Sequence, residues 1–469
     1  MRRSLHIRAA LSALLLSGCV GEGRGRRDVV PRPVGNPAVD KHAPHKHKIA
    51  LELVLRIPGG AQNGELGFRF GPPRDLDGDG VVDITAGARF TALEFPDMGS
   101  VAAWSSDDGG ELAYWEGHCV KALFGHAVLG GPDADGDGVA DVVAAAPNGK
   151  YYGVYRGILY ARSVVTGRLL WSVTGEPDER LGWDMALAGD QNSDGVEDLF
   201  VGAPCGAGVG AAYLLSGRNG NTLRTFRSGE PRDRFAWCVS AVPDLDGDSL
   251  RDLLVGALGA RSDDQKKVGA VYAFSSASGT RLRVWYGRYT DGLFGERVAG
   301  LPDLDGDGAG EVAVAAPYRP VISGPPPTHA GEVFVFSGAT GSELHHWVGT
   351  QPGELYGRMV ASAGDLDGDG VADVAIGAPW SSGSCSGTES DVGNGMQKCG
   401  RFEVRSGKSG ELLAGVEGDR PEMWLGWHIE AAQNLGEERS QRGLLVSALR
   451  SEENGQVGAG ALHLYVVRE

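Results

Sequence analysis

A nine-residue acidic run occurs six times in this chain. The first is Asp75-Leu76-Asp77-Gly78-Asp79-Gly80-Val81-Val82-Asp83. Four carboxylates stand at positions 1, 3, 5 and 9, and Val81 offers a main-chain carbonyl at position 7. The same positions hold Asp133, Asp135, Asp137, Val139 and Asp141, and then Asp190, Asn192, Asp194, Val196 and Asp198. The fourth and fifth runs supply Asp244, Asp246, Asp248, Leu250 and Asp252, and Asp303, Asp305, Asp307, Ala309 and Glu311. The last supplies Asp365, Asp367, Asp369, Val371 and Asp373. Clustered carboxylates repel one another unless protonated or neutralised. Oxygen-only donor sets suit a hard cation. Ca2+ takes roughly 6–8 oxygens at about 2.3–2.6 Å, whereas Mg2+ demands a tighter octahedron. The glycine at position 6 permits the sharp turn that such a shell needs. The expectation is about six Ca2+ sites, each closed by its position-9 acid. Asn192 keeps an oxygen but lowers the charge, Glu311 has a longer arm, and Ser249 replaces the turn glycine. The Asp244 run is therefore expected to bind most weakly.

Positions 1, 3, 5 and 9 of the runs hold 23 of the 61 acidic residues, so the net charge of −17 has a local source. An acidic chain argues against non-specific binding to nucleic acid. Glycine, at 75 of 469 residues, points to many tight turns and to β structure.

The elements that position these runs repeat with them. Run starts lie about 54 to 62 residues apart, a period of supersecondary units in a propeller or solenoid. Eight residues before each run stands a small residue after an aromatic or Leu: Leu66-Gly67, Phe124-Gly125, Leu181-Gly182, Phe235-Ala236, Phe294-Gly295 and Tyr356-Gly357. Five residues after each last acid stands Ala, at 88, 146, 203, 257, 316 and 378. A seventh copy, from Leu425-Gly426 to Leu449, has lost its acids around Asn434. Each unit reads as four short strands, since its apolar runs are bounded by Gly, Pro and Asp. The last unit lacks a fourth strand, and the segment Ile49–Ile57 is one strand too many at the start. These facts predict an all-β, seven-bladed β-propeller over residues 49–469, with the N-terminal strand completing the last blade. Ring closure leaves no open edge, and a solenoid would need caps that are not visible.

The Phe-Gly start, Asp-rich loop and Gly-Ala-Pro end resemble the FG-GAP repeats of the integrin α-subunit N-terminal propeller. The resemblance implies seven blades, Ca2+ between the first two strands of a blade, and extracellular adhesion to a protein or glycan ligand. It also implies that ligand binds the face opposite the metal loops, formed here by connections between second and third strands. Tyr151, Tyr152, Tyr155 and Arg156, Tyr318 and Arg319, and Trp380 would lie there. Exposed aromatics with Arg suit such contacts.

Residues 1–18 join a basic start to a short apolar run and end in Leu16-Ser17-Gly18-Cys19. This resembles the lipobox of bacterial lipoproteins, which implies lipidation at Cys19 and an envelope location, at the outer membrane or cell surface. The lipid would be the only membrane attachment. Residues 19–48 read as a flexible tether. Cys385 and Cys399 bracket a Gly/Ser-rich insertion and form the expected disulfide. Cys119, Cys205 and Cys238 leave at least one thiol unpaired or in an intermolecular link. No metalloprotease, nucleophile-elbow or phosphate-loop pattern is present. A surface interaction module is the leading reading. A propeller-based hydrolase or lyase, or a scaffold subunit of an envelope complex, is the alternative. Glu179, Glu230 and Glu354, in loops between blades, are the carboxylates that an enzyme would bring to a central cleft.

Overall fold

The computed structural model describes residues 49–90, 98–205, 208–262, 264, 266–319, 330–382, 398–435 and 441–468. Cys19, the proposed tether and Cys385 lie outside them. The named elements are all β-strands, arranged as seven antiparallel sheets and one small hairpin. The third blade shows the plan: Asp184–Gly189, Asp198–Ala203, Ala211–Leu215 and Thr222–Phe226, each paired with the next. First strands of successive blades neighbour one another around the axis. The second strand is buried along its whole length in blades 3 to 6. A strand flanked on both faces by other blades reads as a continuous apolar run, as Asp198–Ala203 does. Fourth strands such as Arg281–Tyr286 are mostly part-exposed, because they are the outermost strands and meet water.

Seven hydrophobic clusters hold the ring, one at each interface between neighbouring blades. Leu199 and Val201 of blade 3 pack with Val143 and Leu159 of blade 2, for example. Fourth-strand tryptophans add a directed contact to the next blade. The indole N–H groups of Trp171 and Trp347 donate to the carbonyls of Gly217 and Gly410, at 2.9 and 3.0 Å.

The glycines eight residues before the runs are needed for backbone approach. Gly125 has φ +80°, and its N–H donates to the Ala145 carbonyl at 3.0 Å. A Cβ on Gly125 would lie 2.3 Å from the Ser100 carbonyl oxygen, and one on Gly87 of the preceding blade would lie 1.9 Å from the Gly125 oxygen. Blade 4 places Ala236 at this point with φ +65°. An L-residue in this region carries a strain of about 1–2 kcal/mol.

The ring closes as expected. Ala50–Pro58 pairs antiparallel with Ala461–Arg468, from Ala50 opposite Arg468 to Pro58 opposite Ala461, with one irregularity between Leu53 and Leu55. The first blade departs from the four-strand plan. Its sheet has three strands, Ile84–Ala88, Ser100–Trp104 and Glu111–Glu116. The inner segment keeps isolated bonds at its ends, Arg74 with Asp83 and Gly87 N–H with the Arg69 carbonyl. Pro72 and Pro73 between them have no N–H to donate to a ladder.

Two predictions follow from this packing. Gly125→Ala should destabilise by about 2 kcal/mol or more. Gly167→Ala, at φ +69° with nothing within 4 Å, should cost about 1 kcal/mol. Urea unfolding of the two variants checks the difference. The second concerns the closing strand. His463 is buried, and burial together with the nearby Arg56 holds its pKa down to about 4. Its unfolded value lies near 6.5. The unfolded chain therefore binds this proton first, so stability is present above about pH 6.5 and is lost as pH falls towards 4. Between those pH values the wild type should lose up to about 3 kcal/mol more than His463→Gln, as read by denaturant melts at each pH.

Candidate metal centres and the opposite face

Each acidic run forms the tight connection between the first two strands of its blade. The position-1 carboxylate organises the loop. Asp75 accepts from Gly78 N–H at 2.6 Å and Gly80 N–H at 2.9 Å, and Asp303 accepts from Gly306 and Gly308 at 2.7 and 2.9 Å. Asp133, Asp244 and Asp365 do the same. Position 5 accepts from the N–H of position 7: Asp79 from Val81, Asp137 from Val139, Asp194 from Val196, Asp248 from Leu250, Asp307 from Ala309 and Asp369 from Val371. Positions 4 and 6 both lie in the left-handed region, with Ser193 at φ +61° and Ser249 at φ +70° where other loops have glycine. Reading position 6 alone missed half of this requirement. The repeated Gly at position 4 was the available signal.

The position-9 acid opens the second strand and is buried. Its carboxylate accepts from the position-2 N–H, as Asp83 from Leu76, Asp141 from Ala134, Asp198 from Gln191, Asp252 from Leu245 and Asp373 from Leu366, each at 2.8 Å. Glu311 accepts from Leu304 N–H at 2.6 Å with Oε2, while its buried Oε1 has no hydrogen-bond partner among the described residues. Burial, followed by the field of neighbouring loop aspartates, pushes these acids up: Asp83 and Asp141 to about 7, and Glu311 to about 8. An acid held this way lacks the positive charge that would make its ionised form comfortable.

The carboxylates converge in five loops. One oxygen from each of Asp303, Asp305, Asp307 and Glu311 lies within 4.8 Å of the others. The same holds for Asp75, Asp77 and Asp83, for Asp133, Asp135 and Asp141, and for Asp365, Asp367 and Asp373. In the fourth loop Asp244, Asp246 and Asp248 converge without Asp252. Several Asp clusters of this protein can thus hold a metal ion, and the orphaned Glu311 oxygen fits a cation donor set. The Asp190 loop forms no such carboxylate group among the described residues. Asn192 Nδ2 donates to Asp198 at 3.3 Å, and Arg218 lies 3.6 Å from Asp194. Its charge is thus partly offset within the protein.

The connections between second and third strands lie at the opposite end of the blades. In blade 2 the connection forms a hairpin, Lys150–Tyr151 with Val154–Tyr155. Tyr151 and Tyr152 stack edge-on at 4.5 Å, and Tyr152 is 90% exposed. Lys150 lies over Tyr155, and Arg156 donates to the Gly175 carbonyl at 3.1 Å. Trp380 is half-buried against Trp424 at 5.7 Å, with Lys398 over its ring at 3.9 Å. Tyr318 and Arg319 stand at the end of blade 5, where Arg319 pairs with Glu332 at 3.4 Å. These residues share a face but come from separate blades and do not form one cluster.

Two of the three carboxylates singled out for catalysis serve packing. Glu179 is buried and accepts from Tyr213 and from Glu176 N–H. Glu354 is buried and pairs with Arg401 at 3.0 Å. Glu230 is exposed. Cys399 is disulfide-bonded, while Cys119 and Cys238 are free thiols.

Known proteins agree with this geometry. The FG-GAP repeat family model matches residues 294–336 and 359–395. Integrin alpha-5 of Xenopus laevis is 30% identical over 244 residues, covering 49% of this chain and 22% of that protein. Integrin alpha-IIb of Homo sapiens is 29% identical over 326 residues, covering 61% and 30% respectively. The chain thus spans less than a third of the length of these relatives. The crystal structure of BBS1N in complex with ARL6DN, soaked with lead, has a similar fold, with a TM-score of 0.53 and 11% identity over 90% of this chain and 98% of that one. With motif glycines and Ala-closed second strands recurring around the ring and acidic hairpins in six of its seven blades, this chain carries FG-GAP repeats in a propeller similar to that of the integrin α-subunits.

Proposed function

We propose that this protein is a Ca2+-stabilised interaction module of the cell envelope, lipid-anchored at Cys19, that displays a propeller face to an extracellular protein ligand. The convergence of three or four carboxylate oxygens in five blade hairpins, with buried position-9 acids, carries the cation part. The likeness to integrin α-subunits supports the interaction part. The acids at positions 1, 3, 5 and 9 and the carbonyl at position 7 would supply the oxygen shell. Asp190, Asn192, Asp194, Val196 and Asp198 would form the sixth and weakest site, because Asn192 removes one carboxylate and its amide already donates to Asp198. This ranking differs from the one expected from Ser249 alone.

The ligand face would be the end opposite these loops, with the tyrosine hairpin and Trp380 as anchors for protein, or else glycan, contact. The enzymatic alternative is not favoured, since Glu179 and Glu354 are committed to buried contacts and Glu230 is exposed at the surface.

At about 1 mM Ca2+ and dissociation constants of about 10⁻⁴–10⁻³ M, each site stabilises the fold by roughly 0.4–1.4 kcal/mol. Chelation should therefore lower the melting temperature measurably, and an unchanged melting curve in excess chelator would sink the calcium reading. Asp141→Asn separates the charge from the metal. It should be neutral or stabilising in chelator, since it removes a buried charge, yet about 0.5–1.5 kcal/mol less stable than wild type in millimolar Ca2+. For the ligand face, the mature domain should capture a protein from an extracellular extract, and joint replacement of Tyr151, Tyr152 and Trp380 by Ala should reduce that capture. Full retention would remove these residues from the contact.

A further inference from the structure

At the end of the axis opposite the metal loops, the residue after each motif glycine forms a ring. Five of the seven are aromatic and pack in sequence. Trp427 lies 6.0 Å from Phe68, Phe68 4.9 Å from His126, His126 4.7 Å from Trp183, and Trp183 4.9 Å from Trp237. Blades 5 and 6 interrupt this arc with Glu296 and Arg358. The next residue of each first strand forms a second layer, and it brings in Arg69, Asp184 and Arg297.

The charges at this mouth are poorly matched. Asp184 is shared by two guanidinium groups, with Arg69 at 3.0 Å and Arg297 at 3.7 Å. Arg358 makes no ion pair among the described residues. It is 8% exposed, its Nη1 has no hydrogen-bond partner there, and its guanidinium sits 4.0 Å over Trp427. The Nε atoms of Arg69 and Arg297 are also buried and unpartnered. The two buried histidines sense the same field. His126 and His428 are held neutral by burial and then by arginines, Arg69 and Arg297 among them. Buried cations with donors unused are costly unless something accepts from them.

We propose that this axial mouth binds a carboxylate carried on an acidic loop of a partner protein, held between Arg358 and the Arg69–Arg297 pair. This deepens the interaction-module reading and rests on it. A planar carboxylate matches a guanidinium through paired hydrogen bonds. The half-buried Trp237, Glu296 and Trp427 mark the side on which the mouth stays open. The aromatic arc suits a peptide better than a sugar. Phe68, His126 and Trp183 are buried, and successive rings are tilted by 41 to 48°, so the arc offers edges and corners for side chains and no broad flat face for a pyranose.

The test is a fluorescence titration in about 1 mM Ca2+, with Trp183, Trp237 and Trp427 as reporters. The probes are an acetylated, amidated Gly-Glu-Gly peptide, its Gly-Gln-Gly counterpart, and glucuronate. The Glu peptide should bind saturably and the Gln peptide about tenfold more weakly or worse. Arg358→Gln should lose about tenfold in affinity for the Glu peptide. Glu296→Gln, at a half-buried position in the electrostatic field of Arg358, should gain about threefold by removing a competing charge. Equal binding of both peptides, or unchanged affinity in Arg358→Gln with a wild-type melting curve, overturns the proposal, as does weaker binding in Glu296→Gln. Glucuronate binding without Glu-peptide binding overturns the peptide assignment in favour of a sugar acid. Capture of an extracellular protein that survives Arg358→Gln in full removes this inference and leaves the module reading standing. Failure of any capture removes the module reading, and the peptide titration still decides the site.

Discussion

Successive blades meet backbone to backbone, and the rest of the molecule depends on that distance. Where Gly87 of blade 1 faces Gly125 of blade 2, neither position has room for a Cβ. Gly256 against Gly295 and Gly377 against Gly426 repeat the arrangement. Close approach at the axis lets the second strands bury both faces in a shared core. It also sets the first strands close enough for their opening residues to touch around the ring. Hydrophobic burial then stabilises each interface in a non-directional way, while the glycine contact and the tryptophan bonds choose the orientation.

The acidic hairpins sit at the other end of the same strands, and their design separates two tasks. Position-1 and position-5 carboxylates accept from loop N–H groups and so shape the turn. Position-9 acids start the second strand and anchor it through the position-2 N–H. The loop is thus pre-shaped by its own hydrogen bonds. What those bonds do not satisfy is charge: Glu311 keeps an unpartnered buried oxygen, and Asp83 and Asp141 are pushed far above ordinary carboxylate values. Five loops bring carboxylates together in groups that can hold a metal ion, whereas in the sixth Asn192 removes one carboxylate and Arg218 offsets part of the remaining charge.

Motifs at fixed offsets made the fold legible. Phe-Gly, the acidic run and Gly-Ala recur because each performs a local task that few other residues can. The spare strand at Ile49–Ile57 revealed the seam for the same reason, since a blade short of a strand is unsatisfied. Features that depend on contacts between distant blades were not legible. Nothing local in Arg69, Arg297 or Arg358 says that three blades bring them to one axis. Glu179 and Glu354 looked available because their partners, Tyr213 and Arg401, lie 34 and 47 residues away. The interrupted inner strand of blade 1 was readable from Pro72-Pro73, but the repeat drew attention away from it.

The seam has a cost in time. Glu52 meets Arg468 across a separation of 416 residues, so the first strand made waits for the last. Loop-closure entropy grows only slowly with such a span, but the rate of forming distant pairs suffers. Until Ala461–Arg468 has been synthesised and has docked, the outer edge of the seventh sheet and the free N-terminal strand are both available to any neighbour. Two unfinished molecules side by side can satisfy the same pairing by lending each other that strand. Where unfinished chains crowd together, swift docking of one nine-residue segment therefore selects the monomeric ring over an exchanged dimer.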